Sequence, residues 1–175
     1  MKRTMASLAM LLMVGCGTTS VDPIAAGPPV TTSFPPGVYA GDCTLHLLQW
    51  ENGLQTRDNT LAQPETATID ENGLPLQHDD EPLVVGLRQV WTQGEITYTV
   101  EIKNVRTDGN RLLIGFWQEM RFSSGTYFNG DGETVYEFAP PDTLNVTETW
   151  NAAGRYANNG NPGGAQYTYT ATLIK

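Results

Sequence analysis

Cysteine is scarce in this chain, which has only Cys16 and Cys43 among its 175 residues. Cys16 closes an apolar segment at the amino terminus, so Cys43 is the single thiol of the remaining chain. One thiol cannot form an intramolecular disulfide, and the folded part must therefore be stabilised by its hydrophobic core. Cys43 alternates in phase with Leu45 and Leu47, which predicts a buried, inert thiol on the inner face of a strand.

Basic residues are outnumbered, since 10 Lys and Arg stand against 19 Asp and Glu and give a formal charge of −9. A polyanion repels nucleic acid and anionic lipid head groups, so binding to a phosphate backbone is excluded. The acidic residues are spread along the chain rather than gathered in a tail, as expected for a domain that its charge keeps soluble.

Histidine is also rare, with only His46 and His78, and no Gly-x-Ser-x-Gly motif accompanies them. Nucleophilic catalysis needs a nucleophile, a base and an orienting acid within reach of one another. The sequence therefore predicts a protein that is not an enzyme and uses no cofactor. The segment His78-Asp79-Asp80-Glu81 offers metal ligands, but adjacent residues of an extended loop point apart, which favours a solvated loop.

The amino terminus resembles the signal segment of bacterial lipoproteins. Lys2 and Arg3 precede an apolar run over residues 5–14, which has the length of a signal-peptide core and is short for a membrane span. The run ends in Met13-Val14-Gly15-Cys16, which is similar to the lipobox of these proteins, with Met where Leu is usual. The resemblance implies cleavage before Cys16, lipidation of its thiol and acylation of the new amino terminus.

The same resemblance implies a location. Several acyl chains on one residue anchor a protein stably in a membrane. Lipoproteins with Asp directly after the lipidated Cys tend to stay in the inner membrane, whereas here that residue is Gly17. The resemblance therefore implies a protein of the bacterial cell envelope, anchored by lipid in the outer membrane. Loss of Lys2 and Arg3 with the signal changes the formal charge from −9 to −11.

Composition divides the chain into three segments. Residues 1–15 are the predicted signal peptide. Residues 16–36 begin with the lipidated Cys16 and are rich in Pro, Gly, Ser and Thr, which predicts a flexible tether. Residues 37–175 are enough for one hydrophobic core and form a single predicted domain.

The predicted domain is all-β, because no segment shows helical periodicity and several alternate apolar and polar residues with period two. Short turns separate about eight such runs, which predicts an antiparallel meander. The predicted strands cover residues 38–50, a run ending at 69, 83–91, 95–106, 111–122, 133–138, 143–151 and 166–175. Pairing of the last strand with the first would give a small up-and-down barrel; a two-sheet β-sandwich is the alternative.

The hairpin at Asp108-Gly109 allows a prediction of strand register. A three-residue loop, residues 107–109, would place Ile102 opposite Ile114, so that two apolar faces match. A two-residue loop would place Lys103 opposite Ile114. The apolar pattern therefore predicts the three-residue loop.

Two polar residues interrupt apolar faces, because Gln118 alternates in phase with Phe116 and Glu148 with Trp150. In a closed barrel both would point inward, where an unpaired carboxylate is costly. A position at the barrel mouth, or bonds to Tyr hydroxyls, is the simpler explanation; a ligand in the lumen, with both residues as polar anchors, is the alternative. The candidate ligand-binding residues are Tyr98, Phe116, Gln118, Glu148, Trp150 and Tyr167.

A calcium candidate is the run Asn129, Asp131 and Glu133, which carries oxygen-bearing side chains at alternate positions with glycines between them. It is faintly similar to a calcium loop, but the glycine is misplaced for an EF-hand and no closing bidentate Glu follows. The sequence therefore predicts no metal site.

The first predicted strand opens with Gly37-Val38-Tyr39-Ala40-Gly41, which resembles the Gly-x-Trp motif of lipocalins with Tyr in place of Trp. The resemblance covers these few residues alone. The sequence predicts a membrane-anchored envelope lipoprotein whose β domain is a non-catalytic binding or scaffold module for a protein, a glycan or another envelope component. The alternative is a lipocalin-like carrier of a small apolar ligand in a barrel lumen.

Overall fold

The computed structural model describes residues 30–77 and 81–175. The predicted all-β fold is confirmed, since eight antiparallel strands form one curled sheet, a half-barrel. The strands are β1 (Gly37–Glu51), β2 (Leu54–Ile69), β3 (Arg88–Gln93), β4 (Ile96–Asp108), β5 (Arg111–Phe122), β6 (Tyr127–Ala139), β7 (Thr143–Arg155) and β8 (Pro162–Ile174). The signal peptide, Cys16 and the acidic residues Asp79 and Asp80 lie outside the described residues.

The strands follow the order β2-β1-β8-β7-β6-β5-β4-β3 within this single sheet. The predicted pairing of the last strand with the first is confirmed, because Cys43 lies opposite Ala171 and Leu47 lies opposite Tyr167. This is the neighbour order of an up-and-down barrel that remains open between β2 and β3. The two-sheet sandwich is not the architecture of the domain.

The connection between β2 and β3, described over residues 70–77 and 81–87, covers part of the opening between the two edge strands. Near its start, the Leu76 backbone N–H donates to the Thr68 carbonyl of β2 at 2.9 Å. Near its end, the Gly86 backbone N–H donates to the Ile102 carbonyl of β4 at 2.8 Å. The predicted third strand was too long at its start, because residues 83–87 belong to this connection and β3 begins at Arg88.

Residues 30–36, which the sequence assigned to the tether, pack against the half-barrel. Phe34 is only 3% exposed, and its ring lies 6.2 Å from the ring of Phe138 on β6. The Tyr39 hydroxyl donates to the Pro35 carbonyl at 2.8 Å. The folded unit therefore includes the end of the predicted tether.

The predicted register of the β4–β5 hairpin is wrong. Asp108 pairs with Arg111 across a two-residue loop, and Ile102 lies opposite Phe116 rather than Ile114. A β-bulge between Ile102 and Asn104 inserts one extra residue in β4 and restores the inward alternation. The apolar faces of β4 and β5 therefore match because of the bulge. A prediction that assumes regular pairing of the two strands does not include it.

Strand β6 begins at Tyr127, although the sequence predicted a loop over residues 123–132. Glycine is required in this part of β6 because neighbouring atoms leave no room for a Cβ, and not because the chain turns there. A Cβ at Gly130 would lie 1.9 Å from the Asn151 carbonyl oxygen, and a Cβ at Gly132 would lie 2.3 Å from the Phe116 ring. The glycines that indicated a loop thus allow neighbouring groups to pack against an extended strand.

Inward side chains of the eight strands form the hydrophobic core. Cys43 is 1% exposed on this face, as predicted, and burial raises the pKa of its thiol. The inward residues that are least exposed include Tyr39, Leu112, Met120, Phe128, Leu144, Trp150, Tyr167 and Leu173. The alternation of the sequence therefore identifies the inner face correctly.

Candidate functional site: a polar cavity inside the half-barrel

A cavity lies on the inner face of the sheet, under strands β3 to β7. It has about 40 Å³ of room for the centres of water molecules. Its lining combines aliphatic, aromatic and polar side chains: Gln77, Gln89, Trp91, Val100, Ile102, Ile114, Phe116, Thr134, Tyr136 and Glu148. Because Gln77 belongs to the β2–β3 connection, the cavity reaches the opening between the edge strands.

Among the described lining residues Glu148 is the one with a charged side chain, and both of its carboxylate oxygens accept a hydrogen bond. The Thr134 hydroxyl of β6 donates to Oε2 at 2.7 Å, and the Tyr167 hydroxyl of β8 donates to Oε1. Burial raises the pKa of the Glu148 carboxyl, and the two hydrogen bonds offset only part of that rise. The two hydrogen bonds therefore fix the position of the carboxylate, although the burial of its charge is unfavourable.

Glu65 of β2 is a second inward carboxyl, and it is 9% exposed. Its Oε1 accepts the Thr66 backbone N–H at 3.0 Å, and this bond and the nearby Tyr169 hydroxyl favour the charged form. Burial raises the pKa of Glu65, and the negative charge of Glu148 raises it further. Glu65 and Glu148, here named the interior carboxyls, therefore interact electrostatically within the half-barrel.

Aromatic rings surround the interior carboxyls. Trp91 of β3 stacks on Tyr98 of β4 with ring centroids 5.3 Å apart, and burial raises the pKa of Tyr98 to about 12. Trp150 lies 5.4 Å from the Tyr167 ring and donates from Nε1 to the Gly130 carbonyl at 3.0 Å. These rings pack on the inner face beside the cavity at Glu148.

Gln118 is fully buried on β5, between Val100 of β4 and Gly130 of β6. Within the described part of the chain, neither its Oε1 nor its Nε2 has a hydrogen-bond partner. A buried amide without partners is unfavourable by about 1–3 kcal/mol, and such groups commonly bind an internal water. Gln118 adds unsatisfied polar atoms to the interior that the cavity occupies.

The six candidate ligand-binding residues all lie on the inner face, but they are not all cavity residues. Phe116 and Glu148 line the cavity. Tyr167 reaches it through its bond to Glu148, and Tyr98 lies behind the lining residue Trp91. The remaining two, Gln118 and Trp150, are buried nearby without being part of the lining.

The calcium candidate and His46 lie away from this site. Asn129, Asp131 and Glu133 belong to strand β6 rather than to a loop, and Glu133 forms an ion pair with Arg106 at 2.9 Å. His46 bonds to Asp58 at 2.8 Å on the outer surface of β1 and β2. Among residues 30–77 and 81–175, no three His, Cys, Asp or Glu side chains group as metal ligands.

Sequence reasoning did not name most of the cavity lining or the second interior carboxyl as site residues; the missed residues are Gln77, Gln89, Trp91, Val100, Ile102, Ile114, Thr134, Tyr136 and Glu65. A signal for three of them was present, since Glu65 alternates in phase with the inward residue Ala67, and Thr134 and Tyr136 alternate with Phe138. Trp91 likewise alternates in phase with Leu83 and Leu87 of the predicted third strand, and all three are buried. The cavity itself depends on side-chain packing, which alternation does not specify.

Comparison of the chain with protein-family models, with curated proteins and with solved structures finds no match. In the part of the chain that the structure describes, no helix has the length and apolar character needed to cross a membrane.

Proposed function

We propose that this chain is a lipid-anchored lipoprotein of the bacterial cell envelope whose β domain is a non-catalytic binding or scaffold module. The anchor rests on the lipobox-like Met13-Val14-Gly15-Cys16 segment and the apolar run before it. Gly17 after the cysteine favours the outer membrane. The packed domain begins by residue 34, so at most residues 17–33 separate the anchor from the fold.

The observation that carries the binding or scaffold role is the small size of the described cavity beside buried aromatic side chains. A single internal water needs about 10–15 Å³ of such space, so a cavity of about 40 Å³ has room for a few waters. Carriers of apolar molecules enclose their ligand in a much larger lumen. Trp150, Tyr167 and Phe116 are buried on the inner face, where a lumenal ligand would lie. The packing supports recognition by the outer surface or by a small site over carriage in a lumen.

The position of the single described histidine supports a role without acid–base catalysis. His46 lies on the outer surface of the sheet, whereas the interior carboxyls lie on the inner face. A catalytic imidazole must reach the same substrate atom as its partner acid or nucleophile. The wall of the sheet separates these groups.

The anchor is tested by replacing its cysteine in the native host. We expect Cys16→Ser to move the protein from the membrane fraction to the soluble fraction, because the thiol that carries the lipid is lost. Cys43→Ser is the matched control, and it should leave the protein with the membrane. Unchanged membrane retention of Cys16→Ser would contradict the proposed anchor.

The choice between module and carrier is tested by native mass spectrometry of the protein extracted from its own host. We expect a mass equal to the acylated chain, with no apolar molecule retained. A stoichiometric apolar ligand that survives extraction would overturn the module in favour of the lipocalin-like carrier.

A further inference from the structure

The cavity beside Glu148 combines a fixed carboxylate with aromatic walls in a small space. Each Glu148 oxygen accepts one protein hydroxyl, from Thr134 or from Tyr167, and retains capacity for a further donor. Among the described residues, no Lys, Arg or His forms an ion pair with either of the interior carboxyls. The cavity therefore holds negative charge without a described counter-ion.

Several described cations pair with carboxylates at partly exposed or exposed positions. Arg106 pairs with Glu133, Arg121 with Glu119, and Lys103 with Glu101, all at partly exposed or exposed positions. A carboxylate inside protein is costly unless a cation or several donors compensate it. Glu101, Glu119 and Glu133 thus have cationic partners, whereas no described cation pairs with Glu148, and this difference favours a cationic occupant of the cavity.

The walls of the cavity suit a cation as well. Trp91, Phe116 and Tyr136 all line it. The face of an aromatic ring attracts an ammonium group, and Trp attracts it most strongly. A carboxylate on one side and aromatic rings on others are the two elements from which proteins build ammonium sites.

Size restricts the occupant. A cavity of about 40 Å³ for water centres accepts a group of only a few heavy atoms. A primary ammonium on a slender alkyl chain fits this limit, whereas a quaternary ammonium or a planar ring is too wide. Gln77, at the opening between β2 and β3, marks the side from which such a chain would enter.

We propose that this cavity binds a small primary alkylammonium ion, with the Glu148 carboxylate as its counter-ion and the ring faces of Trp91 and Phe116 as its walls. The proposal deepens the binding role given above by naming a ligand class, and it rests on that role. It is independent of the lipid anchor. Glu65 adds negative electrostatic potential near Glu148 and does not itself bind the ligand.

The test is an NMR titration of the isotope-labelled, detergent-solubilised full chain with ethylammonium chloride. We expect saturable shifts at the Trp91 indole and at Gln77. Ethanol is the matched neutral probe, because it has the same number of heavy atoms, and it should produce no saturable shift. Equal binding of both probes, or of neither, would overturn the proposal, and the second outcome would assign the cavity to water alone.

The carboxylate is tested by Glu148→Gln, which preserves the side-chain volume and removes the charge. We expect its affinity for ethylammonium to fall at least about tenfold, since a charge-assisted hydrogen bond is lost. Glu133→Gln on the outer surface removes the same charge from the neighbouring strand and should bind as the unaltered protein does. Equal affinity in both variants would contradict the role of Glu148.

One combination of results separates this proposal from the proposed function. If ethylammonium does not bind but Cys16→Ser still releases the protein from the membrane, the anchor stands and the ligand class is wrong. The ethanol comparison uses the unaltered protein, so the test remains decisive even where Glu148→Gln fails to fold.

Discussion

Leu144 and Glu148 occupy the same inner face of strand β7, four residues apart, yet they meet different surroundings. Leu144 is fully buried and lies opposite Phe138 of β6 and Leu173 of β8. Phe34 covers this part of the interior from the amino-terminal side. We name it the closed end, which comprises Phe34, Tyr39, Ile69, Phe138, Leu144 and Leu173.

At Glu148 the interior changes from apolar packing to polar groups beside a cavity. The carboxyl lies opposite Thr134 of β6 and Tyr169 of β8, and the opening between the edge strands is close by. The same strands therefore serve two purposes along their length. The closed end supplies dense apolar burial, and that burial allows the cavity region to retain charged and unsatisfied groups.

The largest effect is expected at the closed end. Leu144→Ala leaves a void among well-packed side chains and should lower the free energy of unfolding by about 2–5 kcal/mol. Leu54→Ala is the matched control, because Leu54 is 74% exposed at the β1–β2 turn and its truncation should cost about 0.5 kcal/mol or less. Urea unfolding followed by circular dichroism measures both values. Equal values would show that the closed end does not carry the stability of the fold.

An intermediate effect is expected at the border of the two regions. Gly132→Ala places a Cβ 2.3 Å from the Phe116 ring and 2.7 Å from the Thr149 carbonyl oxygen, so the ring must move toward the cavity. We expect a loss of about 1–3 kcal/mol of stability and weaker ethylammonium binding. Gly164→Ala, whose nearest new contact is 3.3 Å, should change both much less. A stable Gly132→Ala variant that binds normally would contradict this placement of Phe116.

The closed end was largely predictable from the sequence, and the cavity was not. Leu144 and Phe138 lie on strands with regular alternation, and burial follows directly from which face is apolar. The turn between β1 and β2 is equally local, since Asn52 and Gly53 favour positive φ and have φ of 52° and 77°. Local patterns of this kind depend on neighbours along the chain.

The failures share a physical cause, because each depends on contacts between distant strands. The bulge after Ile102 is visible only when β4 is laid against β5. From the sequence alone, Gly130 and Gly132 indicate a loop. Their place in a strand is explained only by the close packing of Asn151 and Phe116 against them. Glu65 becomes a site residue only because β2 curls toward β7, which brings its carboxyl within electrostatic reach of Glu148.

The smallest expected effect on the free energy of unfolding comes from removing the charge of Glu148. Its sign distinguishes the two regions, because Leu144→Ala should lower the stability and Glu148→Gln should raise it. Burial raises the pKa of Glu148 in the folded state, so the folded protein binds this proton more tightly than the unfolded chain does. The contribution of Glu148 to stability therefore falls as pH rises from the unfolded-state pKa to the raised folded-state pKa. Above that interval the full cost of the buried charge is present. Glu148→Gln should accordingly be more stable than the unaltered protein at neutral pH, with a smaller change than that of Gly132→Ala.

The measurement is urea unfolding of both proteins between acidic and neutral pH. We expect the stability gained by Glu148→Gln to grow toward neutral pH and then to remain constant. Glu133→Gln, which loses the same charge from an exposed ion pair, separates this effect from a general reduction of negative charge. A Glu148→Gln variant that is less stable at neutral pH would mean that the bonds from Thr134 and Tyr167 outweigh the cost of burial. In that case the carboxylate would be a structural element of the core like Leu144, and the contrast between the two regions would disappear.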